Sequence, residues 1–355
     1  MKNIDKSKPV MVTGANGYVA SWIVKKLLDQ GLTVHAAVRN PDNDKKIEHL
    51  KAAASNSNGE IKFFSGDLLK PGSYKAAMEG CELIYHTASP FTTDVKDPKK
   101  ELIEPAVEGT ANVLNSANEV DSIKRVIVTS SCAAIYTDNI ETVNAPGGRL
   151  TEEVWNTTSS VDYQPYYYSK TLAEKKAWEI QGNQNQWDLI AINMCLVLGP
   201  ALNPNHTTSE SINILKMLGG GEMKMGAPKL GMGIVDVRDV AEAHYKAGFT
   251  PAAQGRYITS AHETDFLEMG TTLLPKYGDK FPLPKKALPK WLLMIFGPMA
   301  NKMFTRRFIK NNVNIPWKAD NSKIKKELGM SFRSMKETME DSFQNLIDVG
   351  ILKAK

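Results

Sequence analysis

Residues 10–20 of this 355-residue chain are VMVTGANGYVA. The short apolar run predicts a buried strand, and the apolar spacing after the glycines predicts an amphipathic helix that ends near Gly31. A strand, a glycine turn and a helix start together present backbone N–H groups and the positive helix end to a pyrophosphate. Gly14 would let the turn close, Gly17 would let the backbone approach phosphate, and Ala20 would keep the helix close to the sheet. The stretch therefore indicates a dinucleotide-binding unit, with an ordinary strand-to-helix turn as the alternative.

The second predicted strand, residues 33–38, ends at a basic residue. An acidic residue about 20 positions beyond the glycines would hold the ribose 2′-hydroxyl of NAD, whereas an arginine there suits the 2′-phosphate of NADP. Arg39 occupies this position, and Lys45 and Lys46 follow in the next turn. We therefore expect NADP(H) as the cofactor, with a solvated basic loop as the alternative.

Strand-like and helix-like segments alternate along most of the chain, which predicts a parallel sheet with helices on both faces. The expected fold class is α/β, a Rossmann-type doubly wound parallel sheet with a smaller C-terminal α+β substrate-binding region. Residues 1–200, rejoined by about 234–260, would form the dinucleotide-binding domain, and residues 201–233 and 261–355 the substrate-binding region. The later strands are expected at residues 61–64, 83–90, 125–131, 189–198, 232–235 and 256–259, with helices at about 102–119 and from about 322 to the end.

Composition limits the classes of function. The net charge is +5, with 44 basic and 39 acidic residues interspersed, so we expect no nucleic-acid partner. Cys81, Cys132 and Cys195 are widely spaced and show no metal-ligand or disulfide pattern. The histidines also lack the spacing of metal ligands, so no metal site is expected.

Two segments bear on targeting and membranes. Residues 1–8 are polar and lack the core of a signal peptide. The longest apolar stretch, residues 291–300, is shorter than the ~20 residues that span a bilayer. We expect residues 291–296 to form a core helix, with a pocket lid or a membrane-surface contact as alternatives. The expectation is a cytoplasmic protein without stable membrane insertion.

The segment YYYSK, residues 166–170, places a tyrosine and a lysine four positions apart. On a helix, Tyr166 and Lys170 would share a face. A phenol has a pKa near ~10, and a fixed ammonium beside it favours the phenolate. Tyr166 is therefore a candidate proton donor, and Lys170 is a candidate for shifting its pKa. The alternative is two exposed surface residues that have this spacing by chance. The hydroxyls of residues 129–131 follow the fifth predicted strand, at the sheet edge where ligands bind in open α/β folds.

Taken together, these segments resemble the extended short-chain dehydrogenase/reductase superfamily. The resemblance is closest to the dihydroflavonol-reductase-like branch, which includes plant dihydroflavonol reductases and fungal methylglyoxal/isovaleraldehyde reductases. It covers residues 8–260 well and the tail loosely. The segments that support it are TGANG at 13–17, HTASPF at 86–91, TSS at 129–131, YSKTLAE at 168–174 and VDVRDVA at 235–241.

The resemblance implies a role for each matching residue. Tyr166 would protonate the carbonyl oxygen, Lys170 would lower the Tyr166 pKa and bind the nicotinamide ribose, and Ser131 would hold the carbonyl, with Ser130 as the alternative serine. Phe91, at the end of the Ser-Pro loop, is expected to face the substrate, and Cys132 is a candidate pocket residue, with a small space-filling residue as the alternative. Besides Tyr166 and Lys170, cofactor contacts are expected from Gly14, Gly17, Tyr18, Val19, Arg39, Lys46, Asp67, Leu68, Thr87, Ala88, Ser89, Thr129, Met194 and Val197.

Two positions depart from the branch. Met194 stands where a proline usually follows the asparagine of the sixth strand, and Ala106 replaces the asparagine of an N-V-x-G-T pattern. Asn112 is expected to be only a helix residue.

The resemblance implies an NADPH-dependent reductase of aldehydes or ketones, reversible as a secondary-alcohol dehydrogenase. It would act on a small-molecule carbonyl substrate as a monomer or homodimer. The alternatives are a nucleotide-sugar epimerase or dehydratase, a non-catalytic NAD(P)-binding redox sensor and, more distantly, a steroid dehydrogenase/isomerase.

Overall fold

The computed structural model describes residues 2–89, 95–206, 209–300 and 304–354. Its strands are β1 (Val10–Thr13), β2 (Thr33–Val38), β3 (Glu60–Ser65), β4 (Leu83–His86), β5 (Arg125–Ser131), β6 (Asp188–Met194), β7 (Leu196–Leu198), β8 (Met232–Asp236), β9 (Gly255–Thr259) and β10 (His262–Thr264). Its α-helices are α1 (Tyr18–Asp29), α2 (Asp44–Ser55), α3 (Lys75–Met78), α4 (Glu104–Asn118), α5 (Asn139–Asn144), α6 (Pro165–Gly182), α7 (Glu210–Gly220), α8 (Val237–Phe249), α9 (Phe266–Tyr277), α10 (Lys290–Ala300), α11 (Arg306–Asn312), α12 (Ser322–Leu328) and α13 (Met335–Asp348).

A seven-stranded parallel sheet forms the centre of the molecule, in the order β3-β2-β1-β4-β5-β6-β9. The chain winds outward from β1 in both directions, so strand order reverses between β1 and β4, and ligands bind at this point in such sheets. The predicted Rossmann-type α/β fold is therefore confirmed. The division of the chain into two domains stays a prediction.

Helices cover both faces of the large sheet because its strands are apolar on both sides. On one face, Leu27 of α1 and Ala247 of α8 belong to the cluster that buries Val12 and Tyr85. On the other face, side chains of α4 and α6 pack on the strands, with residues such as Val113 and Ala177 fully buried. The carboxyl ends of the strands remain as the edge on which a site can form.

A second, three-stranded sheet has the order β10-β8-β7. The single strand predicted over residues 189–198 is wrong, because β6 pairs with β5 and β9 in the large sheet whereas β7 pairs with β8 in the small one. Cys195 lies at the change of sheet, and its N–H donates to the carbonyl of Thr259 (3.2 Å). The helix predicted over 102–119 begins at Glu104 instead, after one π-helical turn, and the tail forms two helices, α12 and α13.

The apolar run at residues 291–296 forms part of α10, but the prediction of a core helix is wrong. Trp291 is 64% exposed and Met299 is 84% exposed. The helix approaches α11 at Gly297, where an added Cβ would lie 3.0 Å from the Ile309 side chain. Apolar composition predicted burial, yet this helix has too few neighbours in the described structure to bury it. No helix in the described ranges is both long enough and apolar enough to cross a bilayer.

Candidate active site

The turn between β1 and α1 forms an open cradle of backbone. Gly14 has φ +59°, and an added Cβ would lie 3.1 Å from both Cα and Cβ of Ala88. Gly17 closes the turn by donating to the carbonyl of Gly14 (2.9 Å) and precedes α1 without any side-chain cap among the described residues. The first N–H groups of α1 and its positive end are thus left for an anion. This backbone suits a pyrophosphate, and a Cβ would crowd Ala88 if added at Gly14 or the Gly14 carbonyl oxygen (3.2 Å) if added at Gly17.

Two cations lie beyond this cradle, at the end of β2. Arg39 directly follows the strand, and Lys46 lies in the first turn of α2. Both are exposed, and neither makes an ion pair with any carboxylate in the described ranges. Asp44, at the start of α2, pairs with Lys51 (2.7 Å). Arg39 and Lys46 are therefore free to receive the phosphate that distinguishes NADP from NAD.

The loop after β3 is held by a residue that sequence reasoning missed. Asn112 of α4 donates to the carbonyls of Leu68 and Lys70 (both 2.9 Å) and accepts from the N–H of Gly72 (3.1 Å). Asp67, one of the expected cofactor residues, accepts at Oδ1 from the N–H of Leu69 (2.9 Å). Asn112 follows Gly109 by three positions, and an added Cβ at that glycine would lie 3.0 Å from Leu68. This close approach of helix and loop could not be inferred from spacing alone.

Residues 87–89 are fixed against the glycine turn by Thr13. Its Oγ1 accepts from the N–H groups of Thr87 and Ala88 (both 3.0 Å), so its own proton goes to Nδ1 of His86 (3.0 Å). Burial, assisted by nearby Lys170, lowers the pKa of His86 to about 3, so this ring is neutral at physiological pH. The small side chains here leave the backbone open to a ligand lying across the strand ends.

Ser131, Tyr166 and Lys170 come together at the carboxyl end of β5. Pro165 opens α6 directly after Gln164, whose φ of +55° turns the chain, and this places Tyr166 in the first helical turn. The side chain of Ser131 lies close enough to the Tyr166 phenol to favour its ionised form. The Lys170 Nζ lies 5.7 Å from the centroid of the Tyr166 ring. The structure therefore brings together the three residues predicted to be catalytic.

Backbone and side-chain partners hold two of these groups in place. The Oγ of Ser131 accepts from the N–H of Ala133 (3.1 Å) at the start of a short 3₁₀ turn, which leaves its proton to donate. The Nζ of Lys170 donates to the Oγ of Ser89 (2.9 Å), linking α6 to the turn after β4. Both groups are thus aimed before any substrate binds.

Burial has opposite effects on the two titrating groups. It raises the pKa of Tyr166, and the nearby Ser131 side chain opposes this only in part. Burial also lowers the pKa of Lys170 to about 8. We expected Lys170 to lower the Tyr166 pKa, but its ammonium lies towards the ring and bonds Ser89, and burial governs the phenol instead. At neutral pH the phenol is protonated and most of the lysine is charged, which suits a proton donor beside a cation.

The neighbouring Ser130 has different partners. Its hydroxyl donates to Glu174, which also accepts from Asn193 (2.7 Å) and from Nε of Arg256 (2.7 Å). Because successive strand residues point to opposite faces, Ser130 points away from the side that Ser131 occupies. Ser130 therefore does not share the position of Ser131 beside Tyr166.

Three predicted cofactor residues have side chains engaged within the protein. The hydroxyl of Thr129 bonds Nε2 of His244 (2.8 Å). The phenol of Tyr18 donates to the carbonyl of Gly199 (2.8 Å), which ties α1 to the end of β7. Val197 is buried in the small sheet. Contacts from these residues to a cofactor stay predictions.

The remaining predicted residues are divided between the site edge and the interior. Met194 ends β6 directly opposite Ser131. Val19 and Leu68 are partly buried against the core. Cys132 is buried behind Ser131, and Phe91 lies outside the described residues. In the part of the chain that the structure describes, no group of three or more metal-ligating side chains is close enough to hold an ion.

Sequence reasoning also missed an aromatic row behind the site. Tyr166 packs edge-on against Tyr167 (ring centroids 6.1 Å apart), and Tyr167 packs edge-on against Tyr136 (5.8 Å). Tyr136 in turn meets Trp317 (5.9 Å), from the C-terminal region. Tyr136 is 31 residues from Tyr167, and Trp317 is 181 residues from Tyr136, so no local pattern could indicate the row.

Comparison with known proteins agrees with this geometry. Residues 10–257 match the model of the NAD dependent epimerase/dehydratase family. Cinnamoyl-CoA reductase CAD2 of Medicago truncatula is 38% identical over 290 residues, covering 81% of this chain and 86% of that protein. Tetraketide alpha-pyrone reductase 1 of Arabidopsis thaliana is 34% identical over 355 residues, covering 98% of each.

Among solved structures, yeast methylglyoxal/isovaleraldehyde reductase Gre2 complexed with NADPH has a TM-score of 0.76 and 27% identity, covering 96% of this chain and 99% of that chain. The resemblance inferred from the motifs is thus confirmed. The chain belongs to the NAD dependent epimerase/dehydratase family, in the dihydroflavonol-reductase-like branch of the extended short-chain dehydrogenases/reductases, and is an NAD(P)-dependent oxidoreductase.

Proposed function

We propose that this protein is an NADPH-dependent carbonyl reductase that converts an aldehyde or ketone of a small molecule into an alcohol, reversibly as a secondary-alcohol dehydrogenase. The observation that supports this most strongly is the meeting of Ser131, Tyr166 and Lys170 at the sheet edge beside the open glycine turn. A donor, a proton source and a cation at one edge are the groups that carbonyl reduction requires of the protein.

The nicotinamide cofactor, when bound, supplies the hydride. Ser131, with its oxygen already fixed by the N–H of Ala133, donates its proton to the substrate carbonyl and stabilises the charge that develops on that oxygen. Tyr166 then delivers its proton to the same oxygen. Because burial raises the pKa of Tyr166, the phenol stays protonated at neutral pH, which favours reduction. Alcohol oxidation needs the phenolate and is therefore favoured by higher pH.

Lys170 supports both steps without reacting. Its ammonium, anchored on Ser89, adds positive charge beside the phenol and can bind a ribose hydroxyl of the cofactor. Gly14 and Gly17 would hold the pyrophosphate, and Arg39 with Lys46 the 2′-phosphate. The related structure of Gre2 complexed with NADPH supports this choice of cofactor.

The first test is turnover. We expect reduced-nicotinamide absorbance to fall when NADPH is mixed with the protein and a panel of small aldehydes, diketones, aryl ketones and a dihydroflavonol. NADH should support slower turnover. The panel includes these classes because named relatives are reductases of cinnamoyl-CoA and of a tetraketide pyrone. No turnover across the panel, with a dinucleotide co-purifying, would favour an epimerase, a dehydratase or a sensor.

The cofactor choice is tested separately by Arg39→Asp. Removing the exposed guanidinium and adding a carboxylate should lower the NADPH/NADH ratio of kcat/KM by about tenfold or more, since charge-assisted phosphate contacts are worth roughly 1.5–3 kcal/mol. Lys62→Asp, a charge reversal on the edge strand β3, is a control that should leave the ratio unchanged. An unchanged ratio in Arg39→Asp would show that the phosphate is bound elsewhere.

A further inference from the structure

Two cysteines that are far apart in sequence meet behind the catalytic serine. Cys132 follows Ser131, and Cys195 follows Met194. Ser131 and Met194 are paired residues at the ends of β5 and β6, so the two cysteines occupy the next position along these adjacent strands. Their Sγ atoms are 3.0 Å apart, and both are free thiols. The wide spacing gave no disulfide pattern in the sequence, because only the register of two strands creates the pair.

We propose that Cys132 and Cys195 form an oxidative modification site, in which a hydroperoxide converts the two thiols into a disulfide that restrains Ser131. Neighbouring strands lie about 4.8 Å apart, within the Cα separations of about 4.4–6.8 Å that disulfides span. Forming the bond requires the sulfurs to move together by about 1 Å, from contact to about 2.05 Å.

The surroundings of the two sulfurs indicate which one reacts with the oxidant first. The Cys132 thiol donates to the carbonyl of Asn193 (3.2 Å), so in the pair its sulfur accepts the proton of Cys195. Cys132 is buried, and burial raises its pKa well above the usual range for a thiol. Cys195 is only partly buried and so meets an oxidant first.

The chemistry balances in two steps. The Cys195 sulfur attacks a hydrogen peroxide oxygen and breaks the O–O bond, which yields a sulfenic acid and one water. The Cys132 sulfur then attacks the sulfenic sulfur, the S–O bond breaks, and the released hydroxide takes the Cys132 proton as a second water. Two thiols are oxidised by two electrons in total, and one peroxide is reduced. A thiol reductant reverses the change by exchange.

The disulfide would act on catalysis through the turn that holds Ser131. Cys132 begins this turn, and its next residue, Ala133, donates the N–H that fixes the Ser131 oxygen. Drawing Cys132 towards Cys195 replaces its bond to Asn193 and shifts the turn. Because misplacing a catalytic group by 1 Å can cost on the order of 10²-fold, we expect turnover to fall about tenfold or more. This effect on turnover rests on the proposed function, whereas formation of the bond does not.

The test is peroxide titration of the native protein, followed by denaturation, thiol counting and non-reducing peptide mapping. Three titratable thiols should fall to one, the intact mass should fall by two hydrogens, and the crosslinked peptide should contain Cys132 and Cys195. Cys81→Ala is the matched control, since Cys81 is buried beside His35 and should not take part. That variant should still form the bond, whereas Cys195→Ala, or Cys195→Ser if alanine fails to fold, should not.

Activity measured alongside separates the two parts of the proposal. Wild type and Cys81→Ala should lose turnover with peroxide and recover it with reductant, and Cys195→Ala should resist. Three intact thiols, a disulfide that includes Cys81, or over-oxidation of Cys195 with Cys132 still a thiol would each overturn the site. A mapped Cys132–Cys195 disulfide with unchanged turnover would overturn the coupling to Ser131. If no panel substrate is reduced even by reduced protein, the proposed function fails while the thiol result still stands.

Discussion

Two polar groups contain residues of α6, and they differ in how far their donors and acceptors are open to solvent. The catalytic group is Ser131, Tyr166 and Lys170. The buried cluster, one helical turn further on, is Ser130, Glu174, Asn193 and Arg256. Each group contains one of the two consecutive serines at the end of β5 and one charged residue of α6, Lys170 or Glu174. Similar residue types therefore occur in a catalytic group and in a structural one.

The buried cluster is closed to solvent, and its hydrogen bonds converge on Glu174, although Asn193 Oδ1 is buried without a partner in the described structure. Glu174 is 1% exposed and accepts from Ser130, Asn193, Trp178 (3.2 Å) and Arg256. Nη1 of Arg256 donates to the backbone carbonyls of residues 152 and 154. A buried ion pair that satisfies its neighbours in this way is costly to break.

The catalytic group, by contrast, has hydrogen-bond donors that no group of the described residues uses. Tyr166 is 36% exposed as a whole residue, although the protein around its phenol is dense enough to raise the phenol pKa. The Lys170 ammonium, which has three donors, makes a single hydrogen bond within the described residues, to Ser89. Ser131 retains a proton to donate. Polar groups whose partners are all inside the protein stabilise the fold, whereas groups left with unused donors beside solvent can act on a ligand.

The largest effect is expected from Tyr166→Phe. Removing one hydroxyl removes the proton donor, and we expect kcat to fall by about 10²- to 10⁴-fold. Melting temperature and NADPH affinity should stay close to wild type, because the ring remains. Tyr168→Phe, two residues along the same helix, is the matched control and should retain activity. Steady-state kinetics and a thermal melt test this, and a Tyr166→Phe enzyme with most of its activity would contradict the assignment.

The corresponding change in the buried cluster is Glu174→Ala, which should act on stability. It leaves Arg256 buried without its carboxylate, and we expect the free energy of unfolding to fall by about 3–5 kcal/mol. Glu179→Ala, which breaks an exposed pair with Lys176 on the same helix, should cost at most about 1 kcal/mol. Urea unfolding of both variants measures the difference. Equal losses would show that the two groups do not differ as described.

The two serines give the sharpest internal comparison. Ser131→Ala should lower kcat by about 10²- to 10³-fold, as expected for loss of a donor to a developing oxyanion, with little change in stability. Ser130→Ala should cost about 1–3 kcal/mol of stability, because it leaves a buried carboxylate oxygen short of a donor, while activity is retained. Kinetics and unfolding measured on both variants test this. The reversed pattern would make Ser130 the catalytic serine.

The comparison also explains what could be predicted from sequence. The glycine turn and the Tyr166–Lys170 pair depend on spacings within one turn or one helix, so local patterns were sufficient. Ser130 and Ser131 could be assigned to faces only once the strand register was known. Asn112, which reaches the loop after β3, and the aromatic row that ends at Trp317 depend on contacts between distant segments. Spacing predicts neighbours along an element, whereas these contacts follow from how elements pack.

Helix α10 also shows that sequence patterns do not predict how elements pack, in this case because an expected packing partner is absent from the described structure. Its apolar residues predicted a core helix, but residues such as Ile295 and Phe296 are each more than half exposed. Hydrophobicity measures the free energy available from burial, not whether a neighbouring element is present to provide it. The prediction failed for that reason.

The smallest expected effect concerns the charge of Lys170, and its sign differs between binding and stability. Burial lowers the Lys170 pKa to about 8, so the ammonium is lost as pH rises through 8. NADPH affinity should therefore weaken above about pH 8, by up to about tenfold, because a charge-assisted hydrogen bond is lost. Lys170→Arg, which does not titrate in this range, should hold its affinity to higher pH.

The free energy of unfolding should change in the opposite direction from NADPH affinity as pH rises above 8. In the unfolded chain the lysine keeps its proton to about pH 10.4, so between about 8 and 10.4 the unfolded state binds more protons and folding is favoured as pH rises. Unfolding free energies of wild type, referenced to Lys170→Met, should therefore rise over this interval while NADPH affinity falls. Affinity and stability that fall together would mean that Lys170 is stabilised as a cation by the fold and belongs with the buried cluster.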